Sequence, residues 1–239
     1  KIYELKKIRQ NCHLRKSCYV QKGEIDMMRL LYKEFRLSAH PTLYIFIFMG
    51  ALILIPEYPY CMVFFFGCLA PFITLYNGRE NHDAFYTASL PVKKSDVVKS
   101  KYMLFVVAEL AQILISLPFA YIRIAVIGGN NTVGIEPNFA YYGFGFIIFT
   151  VFNMFFFTEF YKTAYKVGKS FIKGIVPALL LVFIVEGTTH IDTFAWIDQT
   201  DKIAMQAQIP ILIMGVTIFV LGNIFAYHIA KNRFEKVDL

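Results

Sequence analysis

Gly168-Lys169-Ser170 is the tripeptide that closes a phosphate-binding loop, in which the lysine reaches nucleotide phosphates and the hydroxyl holds Mg2+. That chemistry also needs a first glycine five residues ahead of the second, so that successive backbone N–H groups curl around the phosphates, and the loop must join a strand to a helix. Thr163 occupies the first-glycine position, and the preceding FNMFFFTEFYK is too long and too aromatic for one strand of a parallel sheet. The competing reading is a cationic turn beside a membrane. Lys166, Lys169 and Lys173 recur every three or four residues and can snorkel toward phosphate headgroups. Other reactive constellations are thinner. Cys12-His13 and Cys18 supply at most three soft ligands, and Cys61 and Cys68 stand in or beside an apolar run, so free thiols are expected and no metal site is assigned. His190 and Asp192 lack a neighbouring nucleophile or third ligand, and HExxH, GxSxG and GxGD are absent, which argues against an intramembrane hydrolase.

Two carboxylates interrupt apolar runs, where an ionisable group is costly and marks a pathway or a pair. Counting inward from Tyr102 at 1.5 Å per residue, Glu109 lies about 10 Å deep, and Glu159 stands near the inner end of its run. Two readings stay open. Glu109 and Glu159, with Gln112, Ser116 and Asn153 further along, line an inner vestibule that attracts a cationic amphipathic substrate; or they are paired with Lys101, Lys162 or neighbouring helices. Phe152, Phe155, Phe156 and Phe157 read as lipid-facing or core packing in preference to a substrate surface.

The elements that would position these groups are membrane spans. Of 239 residues, 57% are apolar and 17% aromatic, against roughly 45–50% apolar in soluble domains. Six apolar segments can be drawn, at 41–56, 60–76, 102–127, 140–161, 171–186 and 209–229, most of them approaching the roughly 20 residues that cross a bilayer. They are too long and too uniformly apolar for barrel strands. The first and fifth are short; they can recruit Leu37 to His40 and Val167 to Ser170 to reach length, or sit where neighbouring helices shield them.

Lysine and arginine fall in residues 1–40 (10 of them), 77–101 (5), 162–173 (4) and the C-terminal tail (3), which is 22 of the 24. By the positive-inside rule both termini and the two basic loops face the cytoplasm, and topology with anionic lipid accounts for the net charge of +7 without a nucleic-acid partner. LLYKEFRL places Leu30, Leu31, Phe35 and Leu37 on one side and Arg29, Lys33, Glu34 and Arg36 largely on the other. This is an interfacial amphipathic helix, or an inward extension of the first span, and Pro41 favours a break between the two. Residues 1–26 form a basic extension without the apolar core of a secretory signal; they read as a cytoplasmic helix, or as sequence ahead of a start at Met27 or Met28. In the loop after 187, Phe194 and Trp196 beside acidic residues suggest an interfacial helix at the outer leaflet.

The stretch NGRENHDAFYTASLPVKKSDVVKSKY between the second and third spans is far too long for a tight helical hairpin. A polar, acid-containing turn, Arg79 to Asp83, leads into Ala84, Phe85, Tyr86 and Leu90. Pro91 stops that short helix, and Ser95 is placed to cap the next one, with Asp96 at the positive end of its dipole. An interfacial helix, two spans, this loop and four more spans, in that order over 28 to about 235, resemble the permease subunits of type-2 ABC exporters. Similarity is greatest to the compact bacterial branch that handles bacitracin-like antibiotics, lantibiotics and phenol-soluble modulins. The resemblance implies an all-α membrane protein of six transmembrane helices over 27–239, in a bacterial plasma membrane. It also implies a homodimer or pseudodimer with two copies of a separate cytoplasmic ATPase, which alone binds ATP and Mg. The segment around 80 to 90 would be the coupling helix, with Glu80, Asp83, Phe85, Tyr86, Leu90 and Pro91 seated in the ATPase; the alternative for Phe85, Tyr86 and Leu90 is packing against the cytoplasmic ends of spans two and three. The implied function is non-catalytic export of amphipathic peptides or related hydrophobic compounds. Its alternatives are a proton-coupled secondary transporter using Glu109 or Glu159, and an enzyme or assembly scaffold.

Overall fold

The computed structural model describes residues 28–88, 92–128 and 131–237. The expectations for residues 1–26, Leu90 and Pro91 lie outside the described residues, as does that for the side chain of Phe85. Among the described residues every regular element is helical. In chain order the helices are α1 (Met28–Ser38), α2 (Pro41–Leu54), α3 (Met62–Glu80), α4 (Asp83–Ala88), α5 (Lys94–Ile127), α6 (Phe139–Phe160), α7 (Val167–Thr188) and α8 (Lys202–Phe234), with a 3-10 turn at Asp192–Ile197. A helix stands at each of the six apolar segments, but length and apolarity single out four of them as crossings, α5 to α8, or five if α1 and α2 form one broken span. α3 falls short because it ends in Asn77-Gly78-Arg79-Glu80. Its apolar part, 62–76, is about 22 Å long against roughly 30 Å of hydrocarbon.

α1 and α2 meet at a bend of 91°. Pro41 stands at the first position of α2, where no backbone N–H is needed, and the His40 ring accepts from the Thr42 N–H at 3.3 Å. Leu37 to His40 therefore turn away from the span and do not lengthen it, contrary to the first of the two sequence readings. α2 gains length through its pitch instead. Its first 7 residues, Pro41–Ile47, are α-helical and rise about 10 Å, whereas the next 7, Phe48–Leu54, are 3-10 and rise about 14 Å. α7 does begin at Val167, so the fifth segment is extended as expected.

The last turn of α1, Glu34–Ser38, is π-helical and closed by the Ala39 N–H to the Glu34 carbonyl at 2.8 Å. The wider turn begins at Glu34 and rotates the residues after it, Leu37 among them, away from the 3.6-residue repeat. Leu30 is buried as expected; Glu34, assigned to the polar face, lies four residues on, on the same face as Leu30, and is 0% exposed, while Leu37, assigned to the apolar face, is 76% exposed. At the start of α5 the extended residue is Lys93, so Ser95 lies inside the first turn and hydrogen-bonds Asp96 instead of capping the helix.

α6 is the central helix and packs on α8 and α7. It crosses α8 at Gly143 and Gly215, where a Cβ on Gly143 would lie 2.7 Å from the Ile211 carbonyl oxygen and one on Gly215 would meet the Gly143 backbone. Small residues that admit such backbone approach drive helix association where lipid supplies no hydrophobic contrast. Phe152, Phe156 and Phe157 fill the core and Phe155 is exposed, in line with a packing role for the cluster. Pro71, Pro118, Pro177 and Pro210 lie inside helices, which bundles in lipid tolerate because neighbouring groups satisfy the freed carbonyls.

Candidate functional site

Four charged side chains from three elements converge at the basic end of the bundle. Lys33 of α1 donates to Asp83 of α4 at 2.5 Å and lies 3.3 Å from Glu34. Lys101 of α5 pairs with the other oxygen of Asp83 and lies 3.8 Å from the buried Glu34. Lys33 also donates to Thr87 Oγ1 at 2.6 Å, and Thr87 in turn donates to the Asp83 carbonyl at 2.7 Å. Two lysines thus share two carboxylates, the arrangement that makes buried charge tolerable. The short α4 has only 6 residues, too few to be stable alone, and the cluster holds it against α1 and α5. Tyr86 points away and is 63% exposed, and Glu80 is exposed beside Arg79, which holds it at 2.6 Å. An open cleft of about 470 Å³ lies beside the cluster, lined among others by Lys33, Ser38, His40, Asn77, Asn81 and Tyr86.

Burial alone would push the Asp83 carboxyl up, but Lys101 and Lys33 outweigh it and hold the group at about 2. A depressed carboxylate contributes stability that is complete above its unfolded value of 3.8 and is lost as pH falls through 2. Acid melting curves of the wild type and Asp83→Asn should therefore converge between those limits, with the wild type more stable above them.

Deeper in the bundle the structure brings two of the expected pathway residues together. Asn153 Nδ2 of α6 donates to Glu109 Oε2 of α5 at 2.9 Å and to Asn223 Oδ1 of α8 at 3.0 Å, and the Tyr102 hydroxyl donates to the same Asn223 oxygen at 2.7 Å. Gln112 and Ser116 continue along the buried face of α5, the first donating to the Val63 carbonyl at 2.7 Å, the second 3.1 Å from the Tyr142 hydroxyl. Glu159 stands apart: Lys162 at 2.5 Å and Lys173 at 2.8 Å bind its two oxygens, as the pairing reading anticipated. Lys101 reaches neither Glu109 nor Glu159; Asp83 and Glu34 engage it instead.

The opposite end is tied shut by a second polar network. Arg123 donates to the Tyr60 hydroxyl at 2.8 Å and to the Gly128 carbonyl, with Glu136 at 3.5 Å. Glu186 of α7 accepts from the Cys61 and Ile135 N–H groups, both at 2.9 Å, and Asp198 accepts from the Glu136 N–H at 2.7 Å. Gln208 donates to the carbonyls of Trp196, Ile197 and Gln199. Burial raises the Glu136 and Asp198 carboxyls above their ordinary range. Phe194 and Trp196 are exposed on the 3-10 turn, and His190 and Asp192 are exposed as well.

Gly168-Lys169-Ser170 falls in the first turn of α7, reached from α6 through a turn at 161–166, so no strand feeds it and the phosphate-loop context is missing. Ser170 is buried and donates to the Lys166 carbonyl at 2.9 Å, while Lys169 is exposed. Sequence reasoning missed Lys33, Thr87, Tyr102 and Asn223 as partners. For Glu34 the signal was its position one helical turn after Leu30, on the apolar face; for Asn223, a lone amide in an apolar run.

The family profile described as "ABC-2 family transporter protein" matches residues 29–231. No curated protein and no solved structure matches the chain.

Proposed function

The chain belongs to the ABC-2 family of transporter proteins, and from that premise we propose that it is the permease of an exporter whose ATP is hydrolysed by two copies of a separate ATPase subunit. α4 is its coupling helix. The observation that carries this reading is the ionic cluster: Asp83 anchors α4 to Lys33 of α1 and Lys101 of α5, while Tyr86 is left exposed. ATP closure can drive a conformational switch only through a difference in affinity between two permease states. A helix clamped by two ion pairs transmits such a difference to α5, and a floppy loop would not.

We take α2 and α3 as crossings alongside α5 to α8, six in all. The clustering of lysine and arginine supports placing the α4 end, and both termini, on the cytoplasmic side of a bacterial plasma membrane. A second copy of the chain would complete the pathway. The cargo class we infer is amphipathic peptides or related hydrophobic compounds, supported by the uncharged exposed stripe Val107, Leu110, Leu114 and Leu117 of α5.

Tyr86→Asp tests the coupling role, because the side chain is exposed and its loss leaves the bundle intact. The variant should insert and melt as wild type does but no longer retain the ATPase on co-purification. Undiminished retention, with Phe85→Asp and Leu90→Asp equally silent, would remove α4 from the interface.

A further inference from the structure

Glu109 is 2% exposed at the depth of hydrocarbon, yet its hydrogen bonding is half complete. Oε2 accepts from Asn153, and Oε1 is buried with no partner among the described residues. Asn153 has no donor left to offer: both of its hydrogen bonds leave from Nδ2, one to Glu109 and one to Asn223, and its own Oδ1 is buried without a donor too. The lysines nearest the basic end are committed elsewhere, Lys33 and Lys101 to Asp83 and Glu34, Lys162 and Lys173 to Glu159.

Among the described residues, the groups packed around Glu109 carry no positive charge. α2 presents Leu43, Phe46 and Ile47; α3 presents Cys68 as its ionisable group; α5 itself adds Tyr102, whose proton goes to Asn223; α6 and α8 contribute the two asparagines. Between Glu109 and α2 and α3 lies a cavity of about 10 Å³, room for one water at most. Gly67 and Pro71 also line it. Pro71 has no N–H for the Gly67 carbonyl, so an acceptor released from the helical ladder lies on the same turn of α3. A buried carboxylate needs a cation or two to three donated hydrogen bonds, and Glu109 has one. A carboxylic acid needs only an acceptor for its O–H.

We propose that Glu109 is a proton-binding site of the bundle: its carboxyl is neutral while α3, α5, α6 and α8 are packed, with the proton on Oε1, and it ionises when helix separation admits water. A conformational cycle that wets this site then releases one proton on opening and takes one up on closing. The inference requires only that the bundle sits in a membrane, so it stands or falls apart from the coupling role of α4.

Infrared difference spectra between the full-length wild type and Glu109→Gln, both in lipid bilayers at neutral pH, decide it. Removing the residue must remove either the carbonyl stretch of a protonated acid or the stretches of a carboxylate. Loss of the acid band is the expected result. Loss of carboxylate bands, whether the charge is bare or balanced by a bound monovalent cation, overturns the proposal. Where Glu109→Gln yields no folded protein, Glu109→Asp serves, because it shifts the band without deleting it. Thermal stability adds a readout that a purely structural role would not move. Wild type should lose stability relative to Glu109→Gln as pH rises from the ordinary carboxylate range through neutrality, and a difference that stays constant from mildly acid to alkaline medium would contradict the proposal.

Discussion

Lys101→Ala is expected to destabilise the protein by about 3–5 kcal/mol, the range for removing one partner of a buried ion pair and leaving its counter-charge behind. Glu34 is wholly buried, and without Lys101 two carboxylates would share the single charge of Lys33. Reversible denaturant unfolding in detergent measures the loss. Adding Glu34→Gln to the variant should recover a large part of it, since the stranded charge is what costs most. Lys162→Ala is the control: that lysine is nearly half exposed, and its pair with Glu159 should be worth only about 0–1 kcal/mol. Equal effects at the two lysines would mean that the cluster at the basic end is solvated in the working protein.

Gly215→Leu should abolish the folded bundle. The position touches the backbone of Gly143 across the α6–α8 crossing, so no rotamer of a larger side chain has space, and the clash is with main chain that cannot swing aside. Even Gly215→Ala should cost about 1–3 kcal/mol, as overpacking does. Gly187, with nothing within 4 Å of an added Cβ, supplies the contrast: Gly187→Ala should be neutral or stabilising by up to about 1 kcal/mol, as expected for a helical site. Thermal unfolding of the three variants separates a packing contact from a backbone propensity effect.

The apolar runs were legible because lipid imposes one rule on all of them: backbone groups must be satisfied within the segment. Pro41 marked the elbow, and Val167 the recruited start of α7, for reasons local enough to read by eye. What stayed hidden depended on pitch. A π turn at Glu34–Ser38 carried Leu37 off the apolar face, and a 3-10 half gave α2 the length that the sequence argument had borrowed from Leu37 to His40. Periodicity assumes 3.6 residues per turn and is blind to both. Partner choice was hidden for a different reason. Lys101 lies two turns from Glu109 on the same helix, and only the tertiary placement of α4 reveals that Asp83 takes it first.

The uneven lengths of the helices set the shape of the surrounding lipid. On the flank formed by α2 and α3, the greasy reach is about 22–25 Å, while α5 and α8, at 34 and 33 residues, extend about 50 Å and clear both headgroup layers. Mismatch of this kind is relieved by thinning the bilayer on the short flank, at fractions of a kcal/mol per ångström. With α2 and α3 as the crossings proposed above, the membrane beside this protein is pinched on one side, and any apolar solute crossing there has less hydrocarbon to traverse.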